Sequence, residues 1–116
     1  MATRNATART SKNKFELSTE QMASHATEAA NLMRAMASEH RLMVLCSLVQ
    51  GEMSVTQLLE KVPLAQSALS QHLAVLRRER LVSTRRDGQT VFYGLNPGPA
   101  LDVIRTLYQN YCCQIK

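Results

Sequence analysis

Gln66, Ser67, Ser70 and Gln71 fall within six consecutive positions and share one side of a helix. Each side chain both donates and accepts hydrogen bonds, which is what reading base edges in the major groove requires. A glutamine can address adenine bidentately, and a serine can reach a base or a phosphate. His72 adjoins this front. Arg77, Arg78 and Arg80 follow, and Arg85, Arg86 and Gln89 come a few residues later. The arginines supply phosphate contacts, which fix orientation and carry most of the affinity, while base contacts give specificity. Double-stranded DNA is the partner this pattern fits.

Cys46, Cys112 and Cys113 are the other reactive groups. An odd number of thiols without an export signal does not make a disulfide framework. A buried thiol that simply packs as a small hydrophobe is one reading. Another is coordination of a soft metalloid such as arsenite by all three thiolates. Neighbours on a helix point about 100° apart, so Cys112 and Cys113 suit a mutual disulfide poorly. There is no CxxC, glycine-rich phosphate loop, paired carboxylate site or candidate triad. These absences argue against an enzyme, and no resident cofactor or metal is expected.

The elements that position these groups are mainly helical. Only 4% of the 116 residues are aromatic and none is Trp, which disfavours a sandwich. The net charge of +5 is unevenly spread. Residues 1–14 carry four bases and no acid, residues 15–59 two bases and five acids, and residues 60–95 six bases and three acids. Residues 1–17 lack periodicity and read as a disordered basic arm, with one domain over 18–116. The first twenty residues lack the apolar centre of a signal peptide, and no apolar run approaches the ~20 residues of a membrane span. A cytoplasmic protein is expected.

Ser18 with Gln21 forms a capping-box pattern that opens a helix over about 19–36. Met22, Ala26, Ala29, Met33 and Met36 recur on it as a narrow apolar seam suited to a partner helix. Ser38 caps a second helix through about Gln50, which Gly51 stops. Leu42, Cys46 and Val49 form a core-facing stripe on this helix. Ser54 with Gln57 repeats the box and opens a short helix through Lys61, before Pro63. A turn of three or four residues leads to a helix over about 66–79, with Leu69, Leu73 and Leu76 inward. That is a helix-turn-helix.

After Leu81 the period becomes two. Val82–Arg86 and Gln89–Leu95 flank Asp87-Gly88, a two-residue loop suited to a type I′ hairpin. A hairpin directly after a recognition helix is a wing. The fold class is therefore mainly α (α+β): a winged helix-turn-helix of about five helices with a two-stranded wing. A last helix over about 100–114 carries Leu101, Ile104, Tyr108, Tyr111 and Ile115 on one stripe. One such module contacts too little DNA for selectivity, so a homodimer on two half-sites is expected. Its interface would use Met22, Ala26 and Met33 of the first helix and Leu101, Ile104 and Tyr108 of the last.

The segment SALSQHLAVLR followed by the strand GQTVFY resembles the ArsR/SmtB family of bacterial winged-helix repressors, and the similarity covers about residues 25–114. The resemblance implies a homodimeric repressor that leaves its operator when an inducer binds or modifies it. The metal-sensing pattern ELCVCDL of that family has thiols where EMSVTQL here has Ser54 and Thr56. The family's other metal site uses acids and histidines of the last helix, which here carries only Asp102. His25, His40 and His72 all lie elsewhere. The chain is more similar to the dithiol branch that includes BigR, SqrR, YgaV and HlyU. That resemblance implies that Cys46 and Cys112 are bridged, by a disulfide or short polysulfide, in the state released from DNA. Small sulfur species or oxidants would then be the inducers, with Cys113 an extra thiol. A DNA-binding antisilencer without an inducer is a further reading.

Overall fold

In a computed structural model, residues 16–112 are described. Among them are five α-helices and a three-stranded antiparallel sheet. Helix α1 is Thr19–Met36. Helix α2 is Glu39–Ser47 and runs into a 3₁₀ turn, Leu48–Gln50. Strand β1, Met53–Ser54, leads into α3, Val55–Leu59, and then α4, Gln66–Arg78. Strands β2, Val82–Asp87, and β3, Thr90–Leu95, precede α5, Pro99–Leu107, which continues as a π-helical turn, Tyr108–Cys112. All of the basic arm but Glu16 and Leu17, and Cys113, lie outside the described residues. No helix among them is long and apolar enough to cross a membrane.

Two compact units divide the chain between Asn31 and Leu32. In the first, the Ser18–Gln21 capping box closes in both directions, at 2.9 and 3.1 Å. These bonds satisfy amides that the first helical turn leaves without intrahelical partners. Met22 and Ala26 of the seam are exposed.

In the second unit, the last turn of α1 contributes Ala35 and Met36 to a core shared with Val44 and Leu45 of α2 and Leu48 of the 3₁₀ turn. Leu58, Val62, Leu69, Leu73, Leu76, Leu81, Val82, Ala100 and Ile104 complete it. Fully burying one such Leu contributes about 1.5–3 kcal/mol. The most buried side chains of α2 and its 3₁₀ extension are Val44, Leu45 and Leu48. Leu42, Cys46 and Val49 form a half-buried flank, so the stripe expected to face the core sits at its margin.

Several boundaries differ from the sequence expectation, each for a local reason. Helix α3 ends two residues before Lys61, where the amides of Glu60 and Lys61 tighten onto the carbonyls three residues back, Gln57 and Leu58. The connection to α4 is therefore Glu60–Ala65, longer than three or four residues, and it inserts Val62 into the core. Asp87 remains paired with Thr90, so the hairpin loop is Gly88-Gln89 rather than Asp87-Gly88. Gly88 has φ 66° and Gln89 has no positive φ. That sign pattern belongs to a type II′ turn rather than a type I′. The sheet has a third strand: Met53 and Ser54 pair with Tyr93 and Phe92, giving the order β1-β3-β2. Gly51 does end the second helical stretch, at φ 145°. Ile104 was expected at a dimer interface, but it is fully buried in the chain's own core and has no surface to offer a partner.

Candidate nucleic-acid interface

Helix α4 is amphipathic. Leu69, Leu73 and Leu76 are fully buried at spacings of four and three, which turns the opposite face outward. Gln66, Ser67, Ser70 and Gln71 all lie exposed on the first turns of that face. Ala65, at the N-cap, offers no side-chain acceptor to the first-turn amides.

The other end of α4 closes with a Schellman motif. The Leu81 amide donates to the Leu76 carbonyl at 2.9 Å, and the Arg80 amide to the Arg77 carbonyl at 3.0 Å. The left-handed residue of this motif is usually glycine, but here it is Arg80, at φ 65°. A side chain in that region costs about 1–2 kcal/mol. Asn96 offsets part of this cost by donating its Nδ2 to the Arg80 carbonyl at 2.9 Å and its amide to the Leu81 carbonyl at 3.0 Å. Arg77, Arg78 and Arg80 are exposed around this cap, with Arg78 3.9 Å from Glu79.

Sheet β2–β3 projects as the wing, with Arg86 and Gln89 exposed towards its tip. Arg85 is placed differently from the other arginines. Its Nε and Nη2 both reach Glu52 Oε1, at 2.9 and 2.8 Å, and its guanidinium carbon lies 4.9 Å from the centre of the Phe92 ring.

His72 is half-buried beside α2. Arg41 Nη1 lies 3.2 Å from His72 Nδ1, and Arg41 Nε donates to the Ala35 carbonyl at 2.6 Å. A guanidinium can only donate, so His72 Nδ1 must accept and its proton sits on Nε2. Burial, the Arg41 charge and then nearby His40, with ring centres 6.0 Å apart, hold His72 below the usual imidazole range. Neither Arg41 nor Glu52 carried a short-range sequence signal. Their partners lie 31 and 33 residues away.

At another end of this unit, α2 meets α5. Leu42, Met43, Cys46, Leu107 and Tyr111 line an open apolar pocket of about 300 Å³. The Gln50 side-chain amide donates to Tyr108 Oη at 2.9 Å, tying the 3₁₀ turn after α2 to the π-helical turn. Cys46 is half-buried at the pocket wall. The backbone of Cys112 belongs to the π-helical turn, while Cys113 lies beyond the described residues. Among the described residues, no three or more His, Cys, Asp or Glu side chains converge as metal ligands would.

Residues 38–84 match the family model described as "Bacterial regulatory protein, arsR family". Across a longer span, the chain is 46% identical over 93 residues to the transcriptional activator HlyU of Vibrio cholerae, covering 80% of this chain and 86% of that protein. The chain belongs to the ArsR family. The biofilm growth-associated repressor of Xylella fastidiosa is 40% identical over 97 residues, covering 84% of this chain and 85% of the relative. Among solved structures, reduced HlyU from Vibrio cholerae superposes with a TM-score of 0.77 over 80% of this chain and 98% of that one. The Xylella repressor BigR gives 0.78 at 39% identity, over 85% and 98%. The ArsR-family fold seen in these relatives is the winged helix, and this chain is a DNA-binding transcriptional regulator of that kind.

Proposed function

We propose that this ArsR-family regulator acts as a homodimeric repressor whose hold on operator DNA depends on the thiol state of Cys46 and Cys112. The observation that carries the DNA-binding half is the exposed Gln66, Ser67, Ser70 and Gln71 front on a helix seated by three buried leucines. Gln66 and Gln71 read bases, and Ser67 and Ser70 reach bases or phosphates. Arg77, Arg78 and Arg86 contact phosphates on either side of the groove, with Gln89 at the wing tip. The uncapped first turn of α4 offers amides to a further phosphate. His72, as an Nε2–H donor, adds one contact beside Gln71.

Homodimerisation is supported by large apolar side chains left in solvent. Met22 is 57% exposed and Met33 52% exposed, and Ala26 continues their seam. Leu101 and Tyr108 are half-buried on the last helix. Sedimentation equilibrium should give twice the chain mass at micromolar concentration.

The sensing half is supported by Cys46 at the wall of the α2–α5 pocket, and by the similarity to HlyU and BigR. Chemically, a Cys112 thiolate attacks the sulfane sulfur of a low-molecular-weight persulfide, RSSH. It gains that sulfur and releases RSH. The Cys46 thiol then attacks the protein persulfide, forming the Cys46–Cys112 disulfide and expelling H₂S. With additional sulfane sulfur the bridge becomes a short polysulfide. Pinning α2 to α5 shifts the helices that flank the DNA-reading unit. By linkage, DNA must then disfavour the bridged form by the same free energy.

Intact mass after persulfide treatment, read beside DNA affinity, tests the reading. Loss of two hydrogens, or a gain of sulfur with that loss, should accompany release. Release of the Cys46→Ser variant as complete as that of the parent would refute it.

A further inference from the structure

We propose that Glu52 and Arg85 form a brace that sets the position of the wing, and that Arg85 is a positioning residue rather than a phosphate contact. The sheet order is β1-β3-β2, so Glu52, just before β1, and Arg85, on β2, stand on opposite edges of the central strand β3. Their ion pair crosses over β3. Arg85 is directly paired with Phe92, and opposed residues in an antiparallel pair share a face. This places its guanidinium 4.9 Å from the Phe92 ring centre, while both Nε and Nη2 reach Glu52 Oε1.

Two residues along the same face of β3 lies Gly94. A Cβ at Gly94 would come within 3.2 Å of Glu52 Cγ, so the bare backbone there leaves room for the Glu52 stem to cross. Four positions thus serve one contact: Glu52 and Arg85 make it, Phe92 supports the cation from below, and Gly94 clears its path.

The near end of the brace is rigid. Glu52 sits two residues before Ser54, whose capping box with Gln57 fixes the start of α3 at 2.9 and 3.2 Å. The far end lies on the strand that carries Arg86. The brace therefore sets the offset between the wing tip and the helix-turn-helix, the distance that lets α4 and the wing meet one duplex together. An acid this close to a polyanion is otherwise unfavourable. That gives the proposal an unusual sign. If Glu52 were an ordinary surface acid, its removal would strengthen DNA binding. If it is half of a brace, its removal weakens binding.

The test uses the full-length chain and a duplex selected by the parental protein from a random-sequence pool. Affinity is measured over a range of salt concentrations for Glu52→Gln, Arg85→Gln and the double variant, which restores the parental net charge. The brace predicts that each single variant weakens binding about three- to tenfold, as losing a surface ion pair with an aromatic contact should. The double variant is no weaker than the weaker single. The slope of log affinity against log salt stays parental for Arg85→Gln, whereas a lost phosphate contact lowers it by about 1 per bound chain. Thermal melting stays within a few degrees. Backbone amide order parameters at Arg86–Thr90 fall in Glu52→Gln while those of α4 do not, which general destabilisation would not produce. Parental or tighter binding by Glu52→Gln overturns the proposal, as does a slope lowered by about 1 in Arg85→Gln.

Discussion

The DNA-reading end and the α2–α5 end of the second unit are built on opposite plans. At the first, polar side chains stand exposed on a short helix, and each is aimed by local devices: a buried leucine row, a Schellman cap, a tight hairpin. At the second, apolar side chains half-enclose a pocket, and the one thiol described there sits at the edge of the core. An exposed polar front can change its sequence preference without disturbing the fold. A thiol at a core margin can change the fold's packing without touching DNA. The proposed division between specificity and control rests on that difference in burial.

Substitutions at the two ends should therefore fail in different ways. The largest effect is expected from Leu69→Ala, which removes a fully buried side chain from beneath the recognition front. A loss of about 2–5 kcal/mol is expected in urea unfolding. A loss well under 1 kcal/mol would mean that the front is not seated on the core. Gln71→Ala should weaken binding to the selected duplex by about 1–3 kcal/mol and barely change binding to random DNA. Its response to persulfide should remain that of the parent. Equal losses on both DNAs would break the assignment of base reading to this end.

Much of the first end was legible because its devices are short-range. The Ser54–Gln57 capping box, the leucine row of α4 and the wing hairpin are all set by residues within a few positions of one another, and each is present. What escaped was either too short or too distant. Strand β1 is two residues long and offers no period to count. The hairpin loop moved by one residue because Asp87 keeps its pairing with Thr90, which a dipeptide preference does not reveal. The Glu52–Arg85 and Arg41–His72 contacts span 33 and 31 residues and depend on the assembled sheet and helices. At the second end, the apolar periodicity of the last helix extends smoothly past Leu107. The change to a π-helical turn at Tyr108 leaves no mark in composition. The pairing of Cys46 with Cys112 was suggested by family resemblance rather than by spacing.

Smaller effects sharpen the same contrast. Arg80→Gly should stabilise the chain by about 1 kcal/mol, because glycine adopts φ 65° without steric cost. The same variant should bind DNA more weakly, since a cation beside the groove is lost. A variant that melts no higher would show that Asn96 offsets the strain completely. Tyr108→Phe removes the acceptor for Gln50 and should cost about 0.5–1.5 kcal/mol in unfolding, with no change in sequence preference. A changed preference would show that the two ends are not separable.

The least effect is expected at His72. Its pKa lies below the usual value in the folded chain, so between that value and about 6.5 the unfolded chain binds the additional proton. Stability should therefore fall as pH drops through that window. His72→Gln should flatten the fall in melting temperature between pH 7 and pH 5. An unchanged profile would remove His72 from the acid-sensitive groups.

The central claim is that thiol chemistry at the α2–α5 end controls what the exposed end does. It is tested most directly by the affinity of the parent and the Cys46→Ser variant for the selected duplex, measured fully reduced and after persulfide treatment. The parent should bind when reduced and release after treatment, while Cys46→Ser binds in both states. Equal release of parent and variant would contradict the account.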